Sequence, residues 1–185
     1  MPFEFRRLEI PDALLIKPKV FEDDRGFFLE TYRKDDMEKA GVDAEFVQDN
    51  HSRSLRGVLR GLHFQKEPYA QAKIVRCTRG TIYDVLVDLR RRSPSFSRYL
   101  GIVLSEESRD MIYVPRGCAH GFLVLSDLAE VVYKVDNVYA PECEGGLVWN
   151  DPEVSVSWPL QDPVISERDR LWPTLEGLSR EGDLF

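Results

Sequence analysis

Residues 81–89 read TIYDVLVDL. Tyr83, Val85, Val87 and Leu89 recur at every second position, while Asp84 and Asp88 fall on the opposite face. A period of two is the spacing of a strand that lays one face on a core. Gly80 precedes the run and Ser93-Pro94-Ser95 follows it closely, so residues that favour turns bound it on both sides. Working outward, short runs of similar character lie at 14–20, 27–32, 44–48, 58–65, 73–77, 99–104, 111–114, 120–125, 131–135 and 146–149. Turn residues separate them at roughly 8–12 positions, the pattern of an antiparallel sandwich or barrel. Helical signals are few: KDDMEKA at 34–40, stopped by Gly41, and a turn or two after Ser166. Neither GxGxxG nor GxxxxGK[ST] occurs, and no long helices alternate with the strands, which disfavours a nucleotide-binding α/β fold. Pro152, Pro159, Pro163 and Pro173 make the last third irregular, and it reads as a tail wrapping one domain over residues 1–185.

A chain of 185 residues is long enough to bury a core. Its 25 Lys and Arg against 32 Asp and Glu give a net charge of −7. That balance disfavours nucleic acid or an anionic membrane as a partner, but leaves room for a local basic pocket. The opening residues MPFEFRR form no apolar signal-peptide core, and no apolar run approaches the ~20 residues that span a bilayer. Cys77, Cys118 and Cys143 show no CxxC spacing and suit a reducing cytoplasm. His51, His63 and His120 leave little room for a histidine-rich metal site.

Two stretches carry chemistry: Gly57-x5-His63-Phe64-Gln65-x7-Lys73-x6-Gly80, and Pro115-Arg-Gly117-Cys-Ala-His120. Together they resemble the two motifs of the cupin barrel. The resemblance implies an all-β cupin jelly-roll β-barrel or sandwich with a few short helices and an irregular C-terminal tail. Metal-binding cupins place two histidines and an acid in the first motif and a third histidine in the second; here those positions hold His63, Gln65, Lys73 and His120. A lysine cation repels a divalent metal and an amide is a weak ligand, so neither a metal nor another cofactor is expected. A lysine between two histidines suits an anion instead, an enolate oxygen or a phosphate.

The likeness becomes narrower beyond the barrel. FEDDRGFFLE at 21–30, FVQDNHS at 46–52, VLRGLHFQ at 58–65, KIVRC at 73–77, PRGCAHGF at 115–122, VVYK at 131–134, YAPECEG at 139–145, WNDP at 149–152 and SERD-x3-P-x-L from Ser166 resemble dTDP-4-dehydrorhamnose 3,5-epimerases, in that family's order. The resemblance implies epimerisation at C3 and C5 of a dTDP-linked 4-keto-6-deoxy sugar, each centre α to the C4 ketone. By resemblance His63 is the base, Asp169 orients it, Lys73 stabilises charge on the C4 oxygen, and Tyr133 reprotonates from the other face. Arg25, Arg60 and Arg168 match phosphate-binding positions, and Tyr139 one that stacks on thymine. Phe28, Glu30, Gln48, Asn50 and Glu144 match other substrate contacts, and His120 lines the sugar pocket. Family members are homodimers with an exchanged N-terminal strand.

Taken singly, these residues have plainer readings. His63 and Tyr133 read as core side chains, Lys73 and Asp169 as solvated charges; position in the motifs favours function. A one-carbon epimerase of a related dTDP-sugar, a non-catalytic sugar-nucleotide-binding cupin and a metal dioxygenase remain as rivals. His51 is assigned to structure. Arg60 and His63, three apart, would point to opposite faces of a regular strand. A bulge at Gly61, a different part of the ligand, or a pocket shared between subunits would each reconcile them. Ala72 and the bulky segment ending at Trp172 depart from the family pattern, and neither is expected to touch the acid–base residues.

Overall fold

The computed structural model describes residues 2–185. The strands are β1 (Phe3–Arg7), β2 (Leu14–Pro18), β3 (Val20–Asp23), β4 (Gly26–Leu29), β5 (Gln48–Leu55), β6 (Leu59–Gln65), β7 (Lys73–Arg79), β8 (Thr81–Asp88), β9 (Tyr99–Ser105), β10 (Met111–Val114), β11 (Cys118–Val124), β12 (Leu128–Val135) and β13 (Glu144–Gly146). The helices are α1 (Lys34–Lys39), α2 (Glu167–Arg170) and α3 (Leu175–Glu181). The named strands pair antiparallel in two facing sheets, β1-β2-β10-β7-β12-β5 and β13-β6-β11-β8-β9, with β3-β4 as a separate hairpin. This is the all-β jelly-roll sandwich expected from the cupin-like motifs.

Three apolar layers hold it together. Between the sheets lie Leu15, Val75, Cys77, Ile82, Leu86, Leu104, Ile112 and Val131, with Phe122. Outside the six-stranded sheet, Met37 of α1 and Val42 cover Leu14, Ile16, Ile74 and Met111. Outside the five-stranded sheet, tail residues Val154, Trp158, Ile165, Leu175 and Leu178 cover Leu59, Leu62, Phe64, Val85 and Val87. Each such side chain contributes on the order of 1.5–3 kcal/mol when taken from water. The tail is further tied by bonds from Leu59 N to Val164 O and from Val164 N to Gly57 O, 2.9 and 2.7 Å.

The second and third layers explain where the sequence reading departs. β8 is covered on both faces, so Asp84 and Asp88 are not on a wet face but fully buried. Asp88 accepts from Arg90 N and the hydroxyls of Ser93 and Ser95, which makes it the anchor of the turn after β8. Residues 44–47 are loop, and the strand begins at Gln48. β4 ends at Leu29, and β13 occupies 144–146 instead of 146–149. β1 was not foreseen. Cys77, Cys118 and Cys143 are free and buried, and no helix of the described residues is long and apolar enough to cross a membrane.

Candidate active site

The barrel interior is apolar at one end and polar at the other. The polar end is a cavity of about 370 Å³. β6 supplies its central residues. Leu59 and Leu62 pack outward against the tail, as does Phe64, whose edge also reaches the cavity that Arg60, His63 and Gln65 line. Both Arg60 and His63 face inward because the strand bulges between them. Pairing with β11 passes from Phe122↔Arg60 to His120↔His63, three steps on β6 against two on β11. Gly61 at the bulge has φ +124°, and a Cβ there would stand 2.6 Å from Gly121 Cα. Only glycine fits that backbone and that approach. The bulge lets Arg60 and His63 face one cavity within a single chain.

His63 Nε2 lies 2.7 Å from Asp169 Oδ1. Asp169 comes from α2, whose first turn is fixed by the Ser166 hydroxyl accepting from Asp169 N. Its second oxygen accepts the Gly61 amide at 3.3 Å. Burial pulls the Asp169 carboxyl upward, but the His63 bond and charge, the Gly61 amide and the Trp172 indole outweigh it and hold it below the ordinary carboxylate range. An ionised Asp169 only accepts, so Nε2 carries the proton and Nδ1 the lone pair.

Lys73 begins β7 and is 7% exposed. Its Nζ donates to His63 O at 3.4 Å. Burial lowers its pKa to about 8, against the opposing pull of Asp84 and Glu144. His120, opposite His63 in the sheet, bonds through Nε2 to Asp84 Oδ2 at 2.9 Å. Asp84 is therefore a second buried carboxylate behind the site, missed in the sequence because its alternation with valines read as a solvent face. Tyr133 enters from β12 in the facing sheet. Burial raises its hydroxyl pKa, Arg60 opposes and Glu144 reinforces, so the phenol stays neutral near pH 7.

At the mouth, Tyr139 Oη and Arg168 Nη1 both donate to Glu144 Oε2 at 2.9 Å. Gln65 spends its amide on the loop that carries Tyr139, accepting from Ala140 N and donating to Tyr69 O and Val138 O. Gln48 donates to Asn50 and accepts from Tyr139 N, and both line the cavity. Arg60 Nε is braced by Ser54 Oγ at 2.9 Å. The donor set does not suit a divalent cation: the Gln65 amide is engaged by Ala140 N, and Lys73, a cation, stands where a metal site needs an acid.

Three expected residues are elsewhere. Arg25, Phe28 and Glu30 belong to the β3–β4 hairpin region and do not line this cavity. Arg25 folds onto Asp23 in the hairpin turn, and Phe28 is 66% exposed. His51 lies outside the cavity, bonded to Glu130. One expectation is overturned: Trp172 does touch the acid–base residues, through its indole Nε1 to Asp169 Oδ1 at 3.3 Å and edge-on packing with His63.

Comparison with known proteins agrees with this geometry. The sequence profile of the dTDP-4-dehydrorhamnose 3,5-epimerases matches residues 7–177. The Pseudomonas aeruginosa enzyme of that name is 55% identical over 166 residues, 89% of this chain and 91% of the relative. A dTDP-6-deoxy-D-glucose-3,5-epimerase from Legionella pneumophila, solved in complex with dTDP-4-keto-L-rhamnose, superposes with a TM-score of 0.92 at 39% identity, covering 97% of this chain and 96% of that one. A 4-keto-6-deoxy sugar epimerase from the novobiocin gene cluster of Streptomyces spheroides gives 0.94 at 38% identity, over 98% and 92%.

Proposed function

The chain belongs to the dTDP-4-dehydrorhamnose 3,5-epimerase family, and from this we propose the following mechanism on dTDP-4-dehydro-6-deoxy-D-glucose. The enzyme inverts C3 and C5, giving dTDP-4-dehydro-L-rhamnose for dTDP-L-rhamnose synthesis. His63 Nδ1 takes the proton α to the C4 ketone, and Asp169 holds the imidazolium that forms. The Lys73 ammonium faces the enolate oxygen and offsets its charge. Tyr133 Oη delivers a proton to the opposite face of the carbanion. The observation that carries this reading is that His63 and Tyr133 stand on opposite sheets and face one cavity, with Lys73 beside His63.

Arg60 and Arg168 hold the diphosphate and Tyr139 stacks on the base, while Gln48, Asn50, Glu144 and His120 bond the polar groups. The hairpin residues Arg25, Phe28 and Glu30 serve the cavity of a second copy, in a homodimer built with an exchanged N-terminal strand. The exposure of Phe21, Phe27 and Phe28, at 50, 54 and 66%, supports a hairpin made to be covered. The three free, buried cysteines support a reducing compartment, the cytoplasm.

Turnover in D₂O tests the reaction. Deuterium at both C3 and C5 of the product is expected; none at either carbon refutes epimerisation. The likeness to a 3'-monoepimerase from Streptomyces bikiniensis, TM-score 0.90 at 35% identity, keeps a second reading, inversion of one carbon of a related dTDP-sugar. Exchange confined to one carbon would establish it.

A further inference from the structure

Trp172 falls at a variable position of the SERD-x3-P-x-L segment, yet its ring meets the reacting pair from behind. Its Nε1–H donates to Asp169 Oδ1 at 3.3 Å, the same oxygen that accepts His63 Nε2 at 2.7 Å. Its ring lies edge-on to the imidazole, centroids 6.2 Å apart and planes at 74°. Arg168 Cζ sits 5.9 Å from its centroid. The indole rests on β13 at Gly146, where a Cβ would stand 2.3 Å from a ring carbon. Just beyond it, Pro173 O accepts Val148 N at 3.0 Å and pins the chain. The ring is thus held between a strand, a helix end and the imidazole.

We infer that Trp172 is a positioning residue for the His63–Asp169 pair: it fixes the carboxylate's orientation and moderates the basicity Asp169 lends to His63. This rests on the reading of His63 as the base. Two donors on one oxygen share its charge. With the Gly61 amide on the other oxygen, the carboxylate has bonds on both sides and is held against rotation. The indole takes up part of the negative charge, so the imidazolium is stabilised less than it would be by Asp169 alone. Several charged groups also face the pair and are left unchanged by substitution at Trp172. They are Arg168 beside Asp169 on α2, Lys73 on β7, Arg60 on β6, His120 with Asp84 from β11 and β8, and Glu144 on β13.

Trp172→Phe keeps a ring and removes the donor; Trp172→Tyr is a second ring-bearing variant without a donor at Nε1. In ¹H–¹⁵N NMR titrations of the full chain, the His63–Asp169 pair is expected to titrate higher in the variants. The His120–Asp84 pair, which Trp172 does not touch, is expected to stay in place. The acid limb of kcat/KM moves up by the same amount, because the base must be unprotonated. No movement of the His63–Asp169 pair in a folded variant overturns the inference, and so does an equal movement of both pairs, which marks a general rearrangement. The titration needs no substrate. Absence of deuterium exchange in the unaltered enzyme would refute the epimerase reading while leaving the titration to judge Trp172.

Discussion

Lys73 carries its ammonium into the barrel, and burial leaves it with a pKa near 8. The cation is present below that value and lost as the pH rises through it. Tyr133 is displaced upward from an already high reference value, so it keeps its proton longer than Lys73 does. The alkaline limb of kcat/KM is therefore assigned to Lys73 and falls near pH 8. Lys73→Met removes that limb and lowers kcat about 10²–10³-fold, the scale of losing one oxyanion stabiliser; a pH–rate series on both proteins measures it. His63→Ala leaves Asp169 buried with no imidazole to receive a proton, so turnover is lost while dTDP binding, followed by calorimetry, is nearly kept. Behind the site, Asp84 holds His120 in a pair that is almost fully buried. Asp84→Ala leaves a buried imidazole N–H without its acceptor, and a loss of about 1–3 kcal/mol is expected from urea unfolding.

Among the elements, β6 decides whether a site exists. A regular strand would turn either Arg60 or His63 into the apolar layer beneath the tail. The bulge at Gly61 keeps both inside and also offers its amide to Asp169. Gly61→Ala meets the Gly121 backbone and forces a side chain into a left-handed conformation. A cost of about 2–4 kcal/mol and a loss of activity larger than partial unfolding explains are expected, read by thermal melting beside kcat. The glycine and the spacing were visible in the sequence, and a bulge was one of the options they left open. β8 and β10 were legible because apolar residues mark their faces. β5 was not: QDNHSRSL is polar on both sides, since Gln48, Asn50 and Ser52 line the cavity while His51 bonds Glu130 at the surface. A strand that lines a wet cavity carries no apolar period to detect. Asp84 failed for the opposite reason, because a carboxylate between valines looks solvent-facing when it is paired inside. Asp169 stands 106 positions beyond His63 in the chain, and only the family resemblance pointed there. The same tail brings in Trp172, which the sequence marked only as a bulky departure from the family pattern.

For the molecule as a whole, the arginines expected at the diphosphate divide between two places. Arg60 and Arg168 line the cavity, whereas Arg25 sits on an exposed hairpin with Phe28. Arg25 has no part in binding, acts within its own chain, or completes the cavity of a second copy, and subunit mixing separates these. Arg25→Ala removes one charged contact to phosphate, so KM should rise about tenfold or more with kcat little changed. His63→Ala alone is inactive. If the hairpin serves a second copy, then in a mixed dimer the cavity of the Arg25→Ala subunit keeps its own His63 and receives the partner's intact hairpin. The other cavity has both defects. Mixing the two variants should therefore restore turnover with a normal KM in one cavity per dimer, up to half the sites of each heterodimer. If Arg25 acts within its own chain, every cavity remains defective and KM stays high however the subunits are combined. If Arg25→Ala alone has a normal KM, the hairpin has no role at the diphosphate at all.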